Sequence, residues 1–289
     1  MTTPAAHAAR RPVAALLFNA MIWGLTWWPM RALQARGMHP LWATAVIFAL
    51  AVVAIGLWKP RAWRELVTHP ALWLILLAAG TTNACFNWGI TAGDVVRVVL
   101  LFYLMPLWTV VLARLVLHEP VTRAALLRVV LALAGAVLVL WPADGGHLNQ
   151  VQPIDLLGLL GGFSFACNNI LLRRESQRSE GGRGLAMFLG GCLVSLALTQ
   201  ALAVPALPPL SAGWLPGVLG LALVYLGSNL ALQYGASRLP ANVTAVIMLT
   251  EVLWAAGSAL ALGAGALTPQ LALGGALIVA GAALAALRP

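Results

Sequence analysis

Residues 70–92 read PALWLILLAAGTTNACFNWGITA, a run without a single charged side chain. An α-helix rises about 1.5 Å per residue and the hydrocarbon core of a bilayer is about 30 Å thick, so this run is long enough to span. Its second half is not uniformly apolar. Thr82, Asn83 and Asn87 would go unsatisfied in lipid, so they must face protein or a polar cavity. The same pattern returns further along. Thr82-Asn83 followed by Asn87-Trp88-Gly89 is echoed by Ser228-Asn229 followed by Gln233-Tyr234-Gly235, at an offset of 146. One stretch thus sets two expectations, a membrane-spanning helix and an internal repeat.

Composition extends the first expectation to the whole chain. Of 289 residues, 61% are hydrophobic and only 9% are charged, and the mean hydropathy is +0.91. Soluble domains carry about 25% charged residues. Apolar runs of spanning length fall at 12–34, 40–58, 70–92, 95–117, 122–141, 154–173, 184–204, 213–236, 240–262 and 269–287. Helix breakers punctuate them, among them Gly37 to Pro40, Lys59-Pro60, Glu119-Pro120, Pro142 to Pro153, Pro205 to Pro209 and Thr268-Pro269. Arg10 and Arg11 before an apolar run resemble the start of a signal peptide. The run is longer than the usual h-region of about 7–15 residues and has no clear cleavage site, so it is expected to be the first span rather than a removed leader.

The seventeen basic residues are distributed unevenly. With the N-terminus inside, the inner segments hold Arg10, Arg11, Lys59, Arg61, Arg64, Arg114, Arg123, Arg128, Arg173, Arg174, Arg178, Arg183, Arg238 and Arg288. Only Arg31, Arg36 and Arg97 fall outside. This bias predicts cytoplasmic termini in an inner (plasma) membrane. The net charge of +9 is therefore read as orientation, not as nucleic-acid binding. Trp42, Trp58, Trp63, Trp73, Trp141 and Trp214 lie near span ends, as an aromatic belt requires.

The repeat divides the chain into 12–142 and 153–288, five spans each. Ala134-Gly135 and Ala280-Gly281 match at 146, and Leu104-Met105-Pro106 matches Leu249-Thr250-Glu251 at 145. An odd number of spans per half inverts the second half. The expected fold is therefore all-α, with ten transmembrane helices in two inverted five-helix repeats around a central cavity. That plan belongs to secondary transporters, whose substrate sits near the midplane.

Ionisable residues within a span are costly, about 2.5–3.5 kcal/mol on insertion scales. Asp94, Asp144 and Asp155 sit at ends or in loops, as do His7, His39, His69, His118 and His147. Glu251 alone falls at a midplane, where it could hold a cationic group, carry a proton or brace its span. Thr244, Met248 and Glu251 share one helical face. Polar stripes also run through Asn19, Trp23 and Thr26, through Asn83 and Asn87, through Ser164 and Asn168, and through Tyr225, Asn229 and Gln233. Together they suggest a cavity walled in part by Trp23, Tyr103, Trp108 and Trp254. For any single amide, an interhelical hydrogen bond is as good a reading as ligand contact. Gly158 and Gly162, and Gly213 and Gly217, have the spacing that lets helices approach closely. Pro106 is the candidate hinge.

The chain resembles the drug/metabolite transporter superfamily, in its ten-helix EamA-type branch. The residues that carry the resemblance are Trp23-Gly24, Tyr103-Leu104-Met105-Pro106 and Leu117-His118-Glu119-Pro120-Val121-Thr122, where the family pattern ends an apolar run in Gly-Glu and then a hydroxyl. Within the superfamily it looks most like the aromatic amino-acid exporters, on Tyr103, Pro106 and Asn242-Val243-Thr244. The resemblance implies export of small solutes by alternating access, foremost aromatic or other apolar amino acids, with other metabolites or lipophilic drugs as the alternative. The chain departs from the pattern at Glu251, where the second repeat often carries Pro, and at Gly263-Ala264-Gly265, where Gly-Glu would end span nine.

Other classes fit less well. HExxH and GxSxG are absent, so an intramembrane enzyme is not expected. Cys85, Cys167 and Cys192 lie within apolar runs without metal-type spacing, and no metal or cofactor is expected. A channel would want a charged ring, which one glutamate per chain does not build in a monomer. The expected partners are a small-molecule solute and the lipid bilayer.

Overall fold

A computed structural model describes residues 4–92, 95–141, 152–209, 213–262 and 267–287. Among these, ten helices are long and apolar enough to cross a membrane. They are Arg10–Gln34, Pro40–Trp58, Pro70–Gly89, Val98–Leu117, Arg123–Leu140, Leu156–Arg174, Glu180–Ala201, Leu215–Ala236, Ala241–Ala261 and Pro269–Leu287, here called spans one to ten. The chain is a multi-pass integral membrane protein. Asp94, Asp144, His147, Gly263 to Gly265 and Arg288 lie outside the described residues.

Local chemistry explains where spans begin. Pro40 opens span two without needing a donor, and the His39 side chain accepts from Leu41 N–H. Thr122 caps span five by accepting from Ala125 N–H at 3.1 Å. Ser179 caps span seven by accepting from Gly182 N–H at 2.9 Å. Span seven therefore starts at Glu180 instead of 184. Gly181 and Gly182 in its first turn have weak helix propensity, which packing overrides. Lys59 touches Gly181, and the Glu65 carboxyl touches Gly182. Glu65 belongs to a short surface helix, Arg61–Thr68, that buries Ala62 and Leu66 and exposes Trp63 and Val67.

Close helix approach depends on small residues, since lipid gives no hydrophobic drive for helices to associate. Gly135 and Gly274 pack face to face where spans five and ten cross. Gly158 and Gly162 rest on the backbone carbonyls of Val98 and Phe102. Gly24 fits against Glu251, where a methyl would lie 2.5 Å from its carbonyl oxygen. The strongest packing joins the halves: span five with ten, two with seven, three with six and seven, one with eight and nine, and four with six.

Three spans are interrupted. Span one turns at Thr26, between helices Pro4–Leu25 and Trp27–Gln34. Span four breaks at Tyr103-Leu104, between Val95–Phe102 and Met105–Leu112. Pro106 is the second residue of the helix that follows this break. Its missing N–H leaves the Phe102 carbonyl unpaired within the helix, which places the bend just ahead of the proline. Span nine breaks at Leu249-Thr250, between Ala241–Met248 and Glu251–Ala261. The two breaks are 146 residues apart, so Glu251 corresponds to Met105 rather than to Pro106. Thr244, Met248 and Glu251 do not form one continuous helical face, because the break separates Glu251 from the other two.

The belt reading needs one correction. Trp58, Trp63, Trp73 and Trp141 are exposed, but Trp214 is buried and donates its indole N–H to the Pro209 carbonyl at 3.0 Å.

Candidate functional site

Spans one, three, four, six, seven, eight and nine line a partly open chamber of about 50 Å³. Glu251, at the midpoint of span nine, lines it and opens the second helical segment of that span. An acidic residue in a first turn is favoured by the helix dipole. The side chain of Tyr103, at the break of span four, lies beside that of Glu251. The residues flanking the two breaks, Phe102 and Met105 in span four and Met248 and Glu251 in span nine, therefore meet in one lining.

The polar lining continues through Thr82, Asn83, Asn168 and Asn229. Thr82 and Asn83 donate back to their own helix, to the Ala78 and Ala79 carbonyls, both at 2.8 Å. Asn168 and Asn229 are buried, and the Oδ1 of each has no hydrogen-bond partner. The apolar lining is Trp23, Phe86, Phe102, Phe165 and three methionines, Met105, Met187 and Met248. Trp23 stacks on Tyr225 with ring centroids 4.9 Å apart and an interplanar angle of 18°. Phe102 meets Phe86 at 4.8 Å and Phe165 at 5.9 Å. At this volume the chamber holds a few waters, so a solute the size of an amino acid enters only when the walls move.

Of the residues singled out in the sequence, Trp23, Asn83, Asn168, Asn229, Met248 and Glu251 come together here. Tyr103 and Tyr225 stand directly behind them. Others serve packing. Asn19 donates to the Ser228 carbonyl at 2.8 Å and to its hydroxyl at 2.7 Å, tying span one to span eight. Asn87 donates to the Thr44 hydroxyl at 2.5 Å, tying span three to span two. Ser164 and Thr244 are buried away from the chamber. Trp108 packs edge-on against the exposed Phe163, with centroids 5.6 Å apart. Trp254 is 42% exposed and lines an apolar crevice formed with residues of spans one and ten. Neither Trp108 nor Trp254 walls the chamber. An aromatic residue at mid-span carries no mark of which way its helix turns it.

Phe86, Phe102, Phe165, Met105 and Met187 were missed. A signal existed for Phe86, since Ala79, Thr82, Asn83 and Phe86 follow the i, i+3, i+4, i+7 rule of one helix face. Phe165 likewise lies three residues before Asn168. Met105 and Met187 lie in apolar runs with no polar residue beside them on the stripe.

A second polar cluster sits at the end of the bundle where spans four, six and eight finish. Arg173 lies 3.8 Å from Glu119 and donates to the Ser237 carbonyl at 2.9 Å. Glu119 accepts from Ala241 N–H at 3.3 Å. Glu65 accepts from the Ser179 N–H and hydroxyl, and Arg238 lies 3.8 Å from Glu180.

Fold and chamber together define a ten-span α-helical membrane protein with interrupted helices around a small mid-span cavity. Residues 10–141 match the EamA-like transporter family. The chain is similar to Protein RarD of Streptomyces exfoliatus, with 30% identity over 195 residues, which is 64% of this chain and 55% of that protein. It thus spans about half the length of the curated relative it matches. A crystal structure of another protein shares the fold, with a TM-score of 0.77 and 21% identity over 95% of this chain and 96% of that one.

Proposed function

We propose that the protein is a secondary transporter. In this reading it exports small solutes, foremost aromatic or other apolar amino acids, across the inner membrane by alternating access. The observation that carries the reading is the pair of breaks in spans four and nine, 146 residues apart and facing one chamber. Interrupted helices at mid-membrane are where carriers of inverted-repeat design bind their substrates. The division into halves 12–142 and 153–288 is supported by packing. Exchanging spans one to five with six to ten returns the pairs five–ten and two–seven to themselves and maps three–six onto one–eight, three–seven onto two–eight and four–six onto one–nine, all of them packed. The match over 10–141 supports transport, and the resemblance at Tyr103, Pro106 and Asn242 supports amino acids. Glu251 is the candidate for recognition or proton carriage and Pro106 the candidate hinge. The basic segments, the second polar cluster among them, are assigned to the cytoplasmic side.

Expression in cells stripped of other exporters tests the substrate class. Resistance to toxic aromatic amino-acid analogues, with release of the parent amino acids, is expected. Release of a chemically different solute without such resistance would refute the class.

A further inference from the structure

The crevice between spans one, nine and ten shares no residue with the chamber and has a volume of about 740 Å³. Small-ligand pockets span about 300–1,000 Å³. Two hydroxyls occur in its lining, those of Thr250 and Ser258, and both are spent. Thr250 donates to the Ile247 carbonyl at 2.8 Å, and Ser258 donates to the Ala255 carbonyl at 2.9 Å while accepting from the Trp27 indole N–H at 2.9 Å. Every other lining residue is apolar, so the crevice offers nothing to water or to a polar solute. Gly257 leaves its floor open, since a methyl there would meet nothing within 4 Å.

The crevice has a direction. Val13 and Ala286 line it near the start of span one and the end of span ten, and Leu25 and Ala261 line it at the far ends of spans one and nine. From Val13 to Leu25 the helix rises about 18 Å, a little more than the half-thickness of the hydrocarbon core, about 15 Å. Arg10 shares a helix face with Val13 and Leu17, at i, i+3 and i+7, and Arg11 stands beside it. Both arginines are exposed, and among the described residues no ion pair engages either. An apolar slot one leaflet deep, headed by two cations, matches an anionic amphiphile. We propose that the crevice binds one anionic phospholipid, with an acyl chain laid along spans one, nine and ten and the phosphate held by Arg10 and Arg11. A neutral lipid gains nothing from the two arginines. A second copy seated there by a two-fold contact would bring its own Arg10 and Arg11 to the same end, like charge against like. The inference rests on the membrane-spanning fold and is independent of the carrier reading.

The test is native mass spectrometry of the delipidated full-length protein in detergent, titrated separately with dioleoylphosphatidylglycerol and dioleoylphosphatidylcholine, which share their acyl chains. The first phosphatidylglycerol is expected to bind about tenfold or more tightly than phosphatidylcholine. Arg10→Gln combined with Arg11→Gln is expected to bring the two lipids within about twofold of each other. Gly257→Leu, which fills the slot, is expected to weaken phosphatidylglycerol by about tenfold or more. Equal affinities in the wild type overturn the inference, as does phosphatidylglycerol binding untouched by Gly257→Leu. A doubled mass without lipid overturns it in favour of a second copy. A further measurement stands even if Gly257→Leu fails to fold. Phosphatidylglycerol brominated on its acyl chains is expected to quench Trp254, read as the difference in fluorescence between the wild type and Trp254→Phe, and no difference places the chain elsewhere and overturns the inference. All of these outcomes leave the carrier reading as it stands.

Discussion

At His118 the backbone takes a left-handed turn, φ 56°, directly after the π-helical turn Ala113–Leu117. This is the position where the family pattern places glycine, and the geometry supplies the reason, since a Cβ there crowds the following carbonyl. His118→Gly is expected to stabilise the protein by up to about 1 kcal/mol, because relief of that strain exceeds the added entropy of the unfolded chain. Thermal unfolding in detergent checks this, and a lower midpoint would contradict it. The neighbouring Glu119 shows how charge and burial compete. Burial pushes its carboxyl above the ordinary value, while the Ala241 N–H and Arg173 pull it back down. With the folded value above the unfolded one, the fold holds the proton more tightly than the open chain does. Ionising Glu119 therefore costs stability as the pH rises through the ordinary carboxylate range towards the raised value, and below that range the cost is absent. Glu119→Gln is expected to leave stability at pH 7 equal or slightly higher, within about 1 kcal/mol, and to flatten the pH dependence in that window. A clear loss at pH 7 would show that the pairing outweighs the burial. Glu119 and Thr122 were legible as a motif, whereas the partners of Glu119 were not, because Arg173 and Ala241 lie far away in sequence.

Helices were the most legible level. Lipid leaves few options, so an apolar run bounded by Pro, Gly and charge is a span, and ten of them are found where the runs lie. What hydropathy does not encode is where a span breaks. Pro106 marks the break in span four, but span nine has no proline. There the Thr250 hydroxyl donates back to the Ile247 carbonyl at 2.8 Å, a bond that tends to bend helices without forcing a bend. Thr109 makes the same kind of bond to Met105 in a continuous helix, so the residue type alone does not reveal the break. The glycine seams were legible as spacing, but their partners required the fold. Gly162→Ala drives a methyl into the Phe102 carbonyl at the break of span four and is expected to cost about 1–3 kcal/mol. Gly220→Ala meets nothing within 4 Å and is expected to gain up to about 1 kcal/mol from helix propensity. Equal effects of the two substitutions would argue against the packing of spans four and six described above.

For the whole molecule, the account joins an orientation to a cycle. Single cysteines placed on the surface helix Arg61–Thr68 are expected to react with an impermeant reagent only from the cytoplasmic side, and one at Ala206 only from the opposite side. The reverse result would invert the assigned topology. The number of spans and their polar stripes were legible from composition and periodicity. The aromatic floor of the chamber was not, since Phe102 and Phe165 look like ordinary apolar residues until spans four and six are packed together. The chamber is too small for an amino acid in this conformation, so the carrier reading demands a second one in which spans four and nine move at their breaks. Solute exchange in proteoliposomes tests that claim most directly. The account predicts uptake that saturates and is stimulated by solute on the opposite side, and that is lost or altered in its pH profile in Glu251→Gln. Uptake that rises linearly with concentration and ignores solute on the far side would contradict it.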